Sequence, residues 1–253
     1  MDINLIGFDV TIGRQKPENI SSKDTACPFC DKEHLTGIID TDGDIVLLKN
    51  KYNVVKEAEQ YVIIEGSDCN SDMPLYTKEH MHRLIRFGLK HWKKMIDSKK
   101  YQAVFFFKNY GPFSGGTIRH PHMQLVGFPA INPRLLFSHQ EFEGVTICEK
   151  NGVILNASTC PRVGFIELNV VPSKAADLDT LADFIQIAVD YIMNHFNKRC
   201  SSYNIFFYHD EDRFYVKLMP RFATSPYFIG YNVRFLSNNL SHVVAEMKEL
   251  YFQ

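Results

Sequence analysis

Two stretches of the chain place apolar residues at a helical period. In TKEHMHRLIRFGLKHWKKMIDSKK, the residues Met81, Leu84, Ile85, Trp92, Met95 and Ile96 recur close to every 3.6 positions, and Thr77 is placed to cap the first turn. In DLDTLADFIQIAVDYIMNHFNK, Leu178, Leu181, Ile185, Ala188, Ile192 and Phe196 do the same. The pattern predicts helices over 77–97 and 177–198. Most other apolar runs are short and rich in β-branched or aromatic residues. DIVLLKN, YVIIEG, AVFFFKN, HMQLVGF, GFIELNVV, NIFFYHD and RFYVKLMP read as strands.

The order of these elements repeats. Strands lead to the first helix, then AVFFFKN and HMQLVGF follow; strands lead to the second helix, then NIFFYHD and RFYVKLMP follow. The repeat predicts an α+β protein of two similar halves, each an antiparallel sheet carrying one main helix. The halves are expected at 1–130 and 131–253, joined by the turn-rich stretch 129–144. A loop-rich stretch over 10–44 precedes the first strands.

With 253 residues and 45% hydrophobic content, the chain can bury a sizeable core. Its net charge of −1 provides no broad basic field, so no nucleic-acid partner is expected and a nucleotide would need a local site. The opening MDINLIGFDV has no basic n-region, and no apolar run is long enough to span a bilayer. A cytoplasmic protein without membrane association is expected. Six cysteines in such a chain do not form a disulfide framework. Cys148, Cys160 and Cys200 stand alone, whereas Cys27 and Cys30 form CPFC, which has zinc-knuckle spacing. A redox CxxC would need a strand–helix context that this loop lacks.

GGTIRHPHMQLVG, over 115–127, carries the clearest chemistry. Alternation in a strand puts His120, His122 and Gln124 on one face. An exposed edge strand would tolerate the intervening Pro121. The glycines upstream add a turn whose amides can approach an anion closely. Two histidines and an amide beside such a turn point to phosphate chemistry.

The segment NYGPFSGGTIRHPHMQ resembles the active-site stretch of the galactose-1-phosphate uridylyltransferase branch of the histidine-triad (HIT-like) superfamily. Asn109, Gly111, Gly115, Thr117, His120, Pro121, His122 and Gln124 match its Asn-x-Gly and His-Pro-His-x-Gln pattern; Thr117 stands where serine is common and Met123 where glycine is common. GRQKP, LLKNKY and PYFIGYN resemble further parts more weakly. The resemblance is to a short bacterial-type relative, and it implies a HIT-like fold and a nucleotidyltransferase. His122 would attack the α-phosphorus of a nucleoside diphosphate compound, and its phosphoramidate would pass the nucleotidyl group on. Gln124 would hold an oxygen as charge shifts. The amides near Gly115, Gly116 and Thr117 would stabilise phosphate. Asn109 belongs to the same substrate-binding set, as do Arg14 and Lys16 toward the phosphates and Asn50 toward ribose. Solvated loop cations and a turn asparagine are the plainer readings of those last three.

The resemblance also implies one structural zinc per chain. Cys27 and Cys30 would supply two ligands, the first histidine of His-Pro-His, His120, a third, and Cys69 the fourth, with His34 in reserve. His80, His82 and His91 on the first helix are expected to be solvated or packed. In the second half Tyr215 and Lys217 replace the paired histidine-strand side chains, and histidines that could join Glu167 in a second metal site are missing. One catalytic centre and no second metal are therefore expected, with Lys217 read as a solvated strand lysine. The expected substrate is a nucleotide or nucleotide sugar. A dinucleoside polyphosphate phosphorylase or hydrolase, or a non-catalytic nucleotide-binding zinc protein, is the alternative, and a homodimer is left open.

Overall fold

The computed structural model describes residues 4–20, 26–211 and 213–253. Its strands are β1 Ile38–Asp42, β2 Ile45–Lys49, β3 Glu59–Ile64, β4 Ala103–Tyr110, β5 His122–Phe128, β6 Gly144–Lys150, β7 Val153–Ser158, β8 Gly164–Phe165, β9 Leu168–Pro172, β10 Tyr203–Asp210, β11 Arg213–Pro220 and β12 Phe235–Leu236. The helices are α1 Val10–Gln15, α2 Lys78–Asp97, α3 Leu178–Asp190, α4 Pro226–Tyr231 and α5 Leu240–Tyr251. A π-helical turn, Tyr191–Phe196, continues α3.

Among the described residues, ten strands form one sheet in the order β1-β2-β3-β5-β4-β10-β11-β9-β7-β6, antiparallel throughout. The two flanks repeat one arrangement, as the α+β duplication predicts. They do not form separate sheets: β4 and β10 pair directly, from Tyr110 opposite Tyr203 to Phe106 opposite Phe207. Phe106 stacks on Phe207 with ring centroids 4.2 Å apart, which seals the junction with apolar contact.

α2, α3 and α5 cover one face of the sheet. Thr77 accepts the His80 N–H and so caps α2; Asp177 accepts the Asp179 and Thr180 amides and caps α3. Met81, Leu84 and Ile85 of α2, and Leu181, Ile185 and Ala188 of α3, are fully buried with Met123, Leu125, Ile205 and Val216 of the sheet. Gly88 lets α2 approach closely, since a Cβ there would meet the Phe106 ring at 2.5 Å. α5 adds Val243, Val244 and Met247 to the same core.

Several elements depart from the expected set. The hairpin β6–β7 turns at Asn151–Gly152, both with positive φ, and this Asn-Gly signal marks a two-residue hairpin loop. β1 joins β2 through Asp42–Asp44 with Gly43 at φ +64°, inside the stretch expected to be loop. α5 follows an amphipathic run near the end of the chain. GFIELNVV divides into β8 and β9, because the Glu167 carboxylate accepts the Arg162, Val163 and Gly164 amides and bends the chain there.

Candidate active site

The face of the sheet away from α2 and α3 carries the alternate residues Gln60 and Val62 of β3, Phe105, Phe107 and Asn109 of β4, and His122, Gln124 and Val126 of β5. They line a cavity of about 520 Å³. Lys16, Asn50, Gly115, Gly116 and Thr117 line it too, with apolar walls from Phe29, Leu35, Leu48 and Val54. The structure thus brings together every expected substrate-binding residue except Arg14, which is exposed at the end of α1 and lies outside the lining. Asn50 lines the cavity and is also a turn residue, its Oδ1 accepting the Tyr52 N–H at 2.9 Å.

His122 is buried, and its Nδ1–H donates to the His120 carbonyl at 2.8 Å. That bond leaves Nε2 with the free lone pair. Burial lowers the imidazole to about 4, opposed by the bond to His120 and aided by the Lys108 and Lys16 charges. The ring is therefore neutral at ordinary pH. Phe29, inside CPFC, packs edge-on against both His122 and His120, at 5.3 and 5.9 Å between centroids. Sequence reading used the cysteines of that motif and missed its phenylalanine as a wall of the site. It also missed Lys49 and Gln60, which the period-two alternation of β3 and the strand end at Asn50 could have pointed to.

The glycine turn is held from two sides. Gly111, at φ +81°, sits where a Cβ would meet the Ser201 carbonyl at 2.1 Å, so only glycine fits. Asn19 donates its N–H to the Thr117 carbonyl at 2.9 Å and accepts the Arg119 N–H at 2.7 Å, which brings the segment carrying Lys16 to the cavity. Gly115, at φ +87°, has open space where a Cβ would be. The Gly116 N–H is taken by the Ser114 hydroxyl, so among the three amides expected to face an anion it is already engaged.

The thiols of Cys27, Cys30 and Cys69 and a ring nitrogen of His120 lie within 4.8 Å of one another. His120 Nε2 donates to the Gly66 carbonyl at 2.9 Å, and its Nδ1 is 3.6 and 3.5 Å from the sulfurs of Cys27 and Cys30. The tautomer is thereby set with Nδ1 as the donor atom toward a metal. Burial opposes ionisation of Cys27, but the adjacent His120 ring and hydrogen bonds from the Phe29 amide and the Cys30 thiol hold it down at about 6. Burial and the neighbouring thiolate push Cys30 up to about 12. Thiols this close cannot all ionise without a cation among them, and three sulfurs with one imidazole suit zinc. The cluster could hold one metal ion. His34 is exposed, bonded to Asp31, and not part of it.

The helix histidines have structural partners. His80 Nε2 donates to the Glu65 carbonyl, His82 meets Asp183 at 2.9 Å, and His91 meets Asp40 at 2.9 Å. Lys217 is not the solvated lysine expected. It is fully buried, 3.0 Å from Glu167 and donating to the Glu141 carbonyl at 2.7 Å.

Two family models divide the chain between them: the N-terminal domain of DUF4931, a domain of unknown function, over residues 8–131, and its C-terminal domain over 135–252. A solved DUF4931 protein from Bacillus cereus is 37% identical, with a TM-score of 0.77 over 85% of this chain and all of that one. The chain belongs to the DUF4931 family. This DUF4931 protein is also similar to a solved uridylyltransferase (13% identity, TM-score 0.73, 92% of each chain) and to an ADP-glucose phosphorylase from Arabidopsis thaliana with bound ADP-glucose (12%, TM-score 0.71, 95% and 94%). At such identities the likeness shows a shared fold, the HIT-like fold of the uridylyltransferase type. A comparison with curated proteins gave no match. Among the described residues, no helix of this DUF4931 protein is long and apolar enough to cross a membrane.

Proposed function

We propose that this DUF4931 protein is a nucleotidyltransferase that works through a nucleotidyl group carried on His122. The observation that supports this most is the pairing of the two histidines: His120 is fixed in the thiol cluster, and its carbonyl holds Nδ1 of His122 so that Nε2 keeps its lone pair in a cavity of nucleotide size. Nε2 attacks the α-phosphorus of a nucleoside diphosphate sugar. The N–P bond forms, the bond from that phosphorus to the bridging oxygen breaks, and the sugar phosphate leaves with the electron pair. An acceptor phosphate then attacks the phosphoramidate, breaking N–P and returning the lone pair to His122. Gln124 and the amides of Gly115 and Thr117 hold the oxygens on which charge builds, and Lys16 offsets the phosphate charge. Asn109 and Asn50 belong to the substrate wall. Burial lowers the pKa of Lys16, which argues for an anion as its natural companion.

Zinc is the metal proposed for Cys27, Cys30, Cys69 and His120. When bound it would be structural, tying the CPFC loop to β5. Free thiols in such a cluster suit a reducing compartment, the cytoplasm. The two halves, 1–130 and 131–253, divide the work: the first holds the chemistry and the second, with Tyr215 and Lys217 in place of histidines, serves as scaffold.

The test is to incubate the protein with UDP-glucose and ADP-glucose radiolabelled at the α-phosphate, quench in base, and map the label. Label on His122 is expected. Label on another residue, or none while turnover is measurable, ends the covalent reading. Supplying inorganic phosphate, a sugar 1-phosphate or water as acceptor, with dinucleoside polyphosphates as further donors, separates transfer from phosphorolysis and hydrolysis.

A further inference from the structure

We propose that a second cavity, on the same face of the sheet but beyond Phe105 and Phe107, is a separate binding site for a planar aromatic anion. It lies over the β4–β10 junction, beneath the linker between the halves, and measures about 310 Å³. Native interiors leave few voids larger than a water molecule, and small-molecule sites begin at roughly 300 Å³. A space of this size is beyond a packing defect.

Its lining states the ligand's chemistry. Phe106 and Phe207 are buried in the core on the helix side, so Phe105, Phe107, Phe206 and Tyr208 project to the other face. Phe137, from the linker, packs edge-on to Tyr208 with centroids 5.4 Å apart. Five rings thus surround the space, a setting for stacking and edge contacts with a flat ring system. A sugar would have to give up water from its hydroxyls against these walls, with few partners in return.

The charge comes from Arg162, which also lines the cavity and whose guanidinium lies 5.5 Å from the Tyr208 ring centroid. Glu141 accepts from its Nη1 at 2.8 Å, and one carboxylate does not exhaust the donors of a guanidinium. Glu141 also pairs with Arg234 at 3.1 Å, and Glu167 pairs with Lys217 at 3.0 Å. Among the described residues, three cations meet two carboxylates in this ion-paired cluster, an excess of one positive charge, and Arg162 is the member that lines the cavity. An anionic substituent on the ring system would balance it.

The site is distinct from the His122 cavity and adjacent to it. Gln124 pairs with Phe107, and Phe107 with Phe206, so the two spaces are centred about two strand spacings, ~10 Å, apart. Phe105 and Phe107 form the shared wall. The proposal does not depend on the reaction assigned to His122.

The probe is 8-anilinonaphthalene-1-sulfonate, a planar aromatic anion, titrated by fluorescence into the zinc-replete full chain, with uncharged N-phenyl-1-naphthylamine as its partner. Saturable binding of one sulfonate per chain is expected. Leu136 lines this cavity and not the other. Leu136→Trp, which fills it from the linker, should therefore abolish binding of both probes with little change in melting temperature. Arg162→Gln should weaken the sulfonate by about tenfold or more, the effect of one charged hydrogen bond, and leave the neutral probe unchanged. Absence of saturable binding overturns the proposal, as does wild-type affinity in folded Leu136→Trp. Should that variant fail to fold, the two probes on Arg162→Gln decide: equal loss of both, or no loss of the sulfonate, counts against the site.

Discussion

His122 donates its Nδ1–H to the carbonyl of His120, two residues earlier on the same strand, at 2.8 Å. One histidine thus orients the other through the backbone, while its own ring is directed to the thiol cluster. The roles should separate on substitution. His122→Gly should keep its metal and its melting temperature and lose turnover by ~1000-fold or more, as loss of a nucleophile does. His120→Asn should lose metal first and activity as a consequence. Metal content, thermal unfolding and turnover on the same preparations check this; normal turnover in His122→Gly removes the catalytic role.

The thiol cluster makes a second prediction. Protein purified without chelator should contain about one zinc per chain, and the Cys27→Ser, Cys30→Ser double variant should contain almost none. Because such a site contributes folding free energy directly, the loss should be a large part of the ~5–15 kcal/mol typical of a domain. Elemental analysis with urea unfolding measures both quantities. A double variant that retains full zinc would place the metal elsewhere.

What could be read from the sequence follows from the range of the interaction involved. α2 and α3 are visible because one buried stripe repeats over several turns. His122 and Gln124 can be placed on one face because alternation is a property of the strand itself. Lys217 could not be read this way. Its burial depends on Glu141 and Glu167, which lie 76 and 50 residues away in the chain, and no local pattern distinguishes a paired buried lysine from a solvated one. Phe29 illustrates a second limit: the spacing of Cys27 and Cys30 suggests a metal, whereas the contact of the residue between them with His122 exists only after the loop has folded onto β5. Arg14 shows the converse. Its charge made it a natural phosphate partner, yet α1 carries it outside the cavity while Lys16, two residues on, lines it. The β6–β7 hairpin was legible through Asn151–Gly152 and was missed because its strands mix polar and apolar residues, in GVTICEK and VILNAS, without a continuous apolar run.

Acid sensitivity should trace in part to Glu59. Its carboxylate accepts hydrogen bonds from Lys100, Tyr101 and Tyr61, which hold it down at about 2. A carboxylate depressed in the folded state stabilises above its unfolded value of roughly 4.3, and the contribution fades as pH falls from there toward 2. Glu59→Gln should therefore be less stable than the parent at pH 7, and the gap should close on acidification through that window. Metal release at low pH affects both proteins, so the difference between their urea midpoints is the quantity to follow. A gap independent of pH from 7 to 3 would mean that the ionised carboxylate contributes nothing.

The last prediction concerns charge buried behind the strand that carries His122. Lys108 is fully buried on the helix side of β4, 2.5 Å from Glu65 and 3.2 Å from Asp72. Tyr76 donates to Glu65 at 3.0 Å, and Tyr203 donates to both oxygens of Asp72 at 2.8 and 2.9 Å. Burial works against the Lys108 charge, but the two carboxylates outweigh it and raise its pKa; burial also pushes Glu65 up. One ammonium thus compensates two carboxylates, and two tyrosine hydroxyls reach the remaining carboxylate oxygens. Removing the ammonium leaves the carboxylates facing each other in a dry interior, so Lys108→Met should cost about 3–5 kcal/mol, the range for breaking a buried pair from one side. Adding Asp72→Asn should recover part of that loss, because only one carboxylate then needs compensation. The damage should reach the site through the backbone: the Glu65 amide donates to the Pro121 carbonyl at 3.1 Å, and Gly66 holds the His120 ring. Lys108→Met should accordingly release zinc at lower chelator concentration than the parent, although Lys108 touches neither the thiols nor His120. Urea unfolding at saturating zinc and competition with a chromogenic chelator measure the two effects separately. A loss below ~1 kcal/mol would show that the buried charges are not coupled as described. Unchanged chelator competition in a destabilised variant would break the link from this network to the metal cluster.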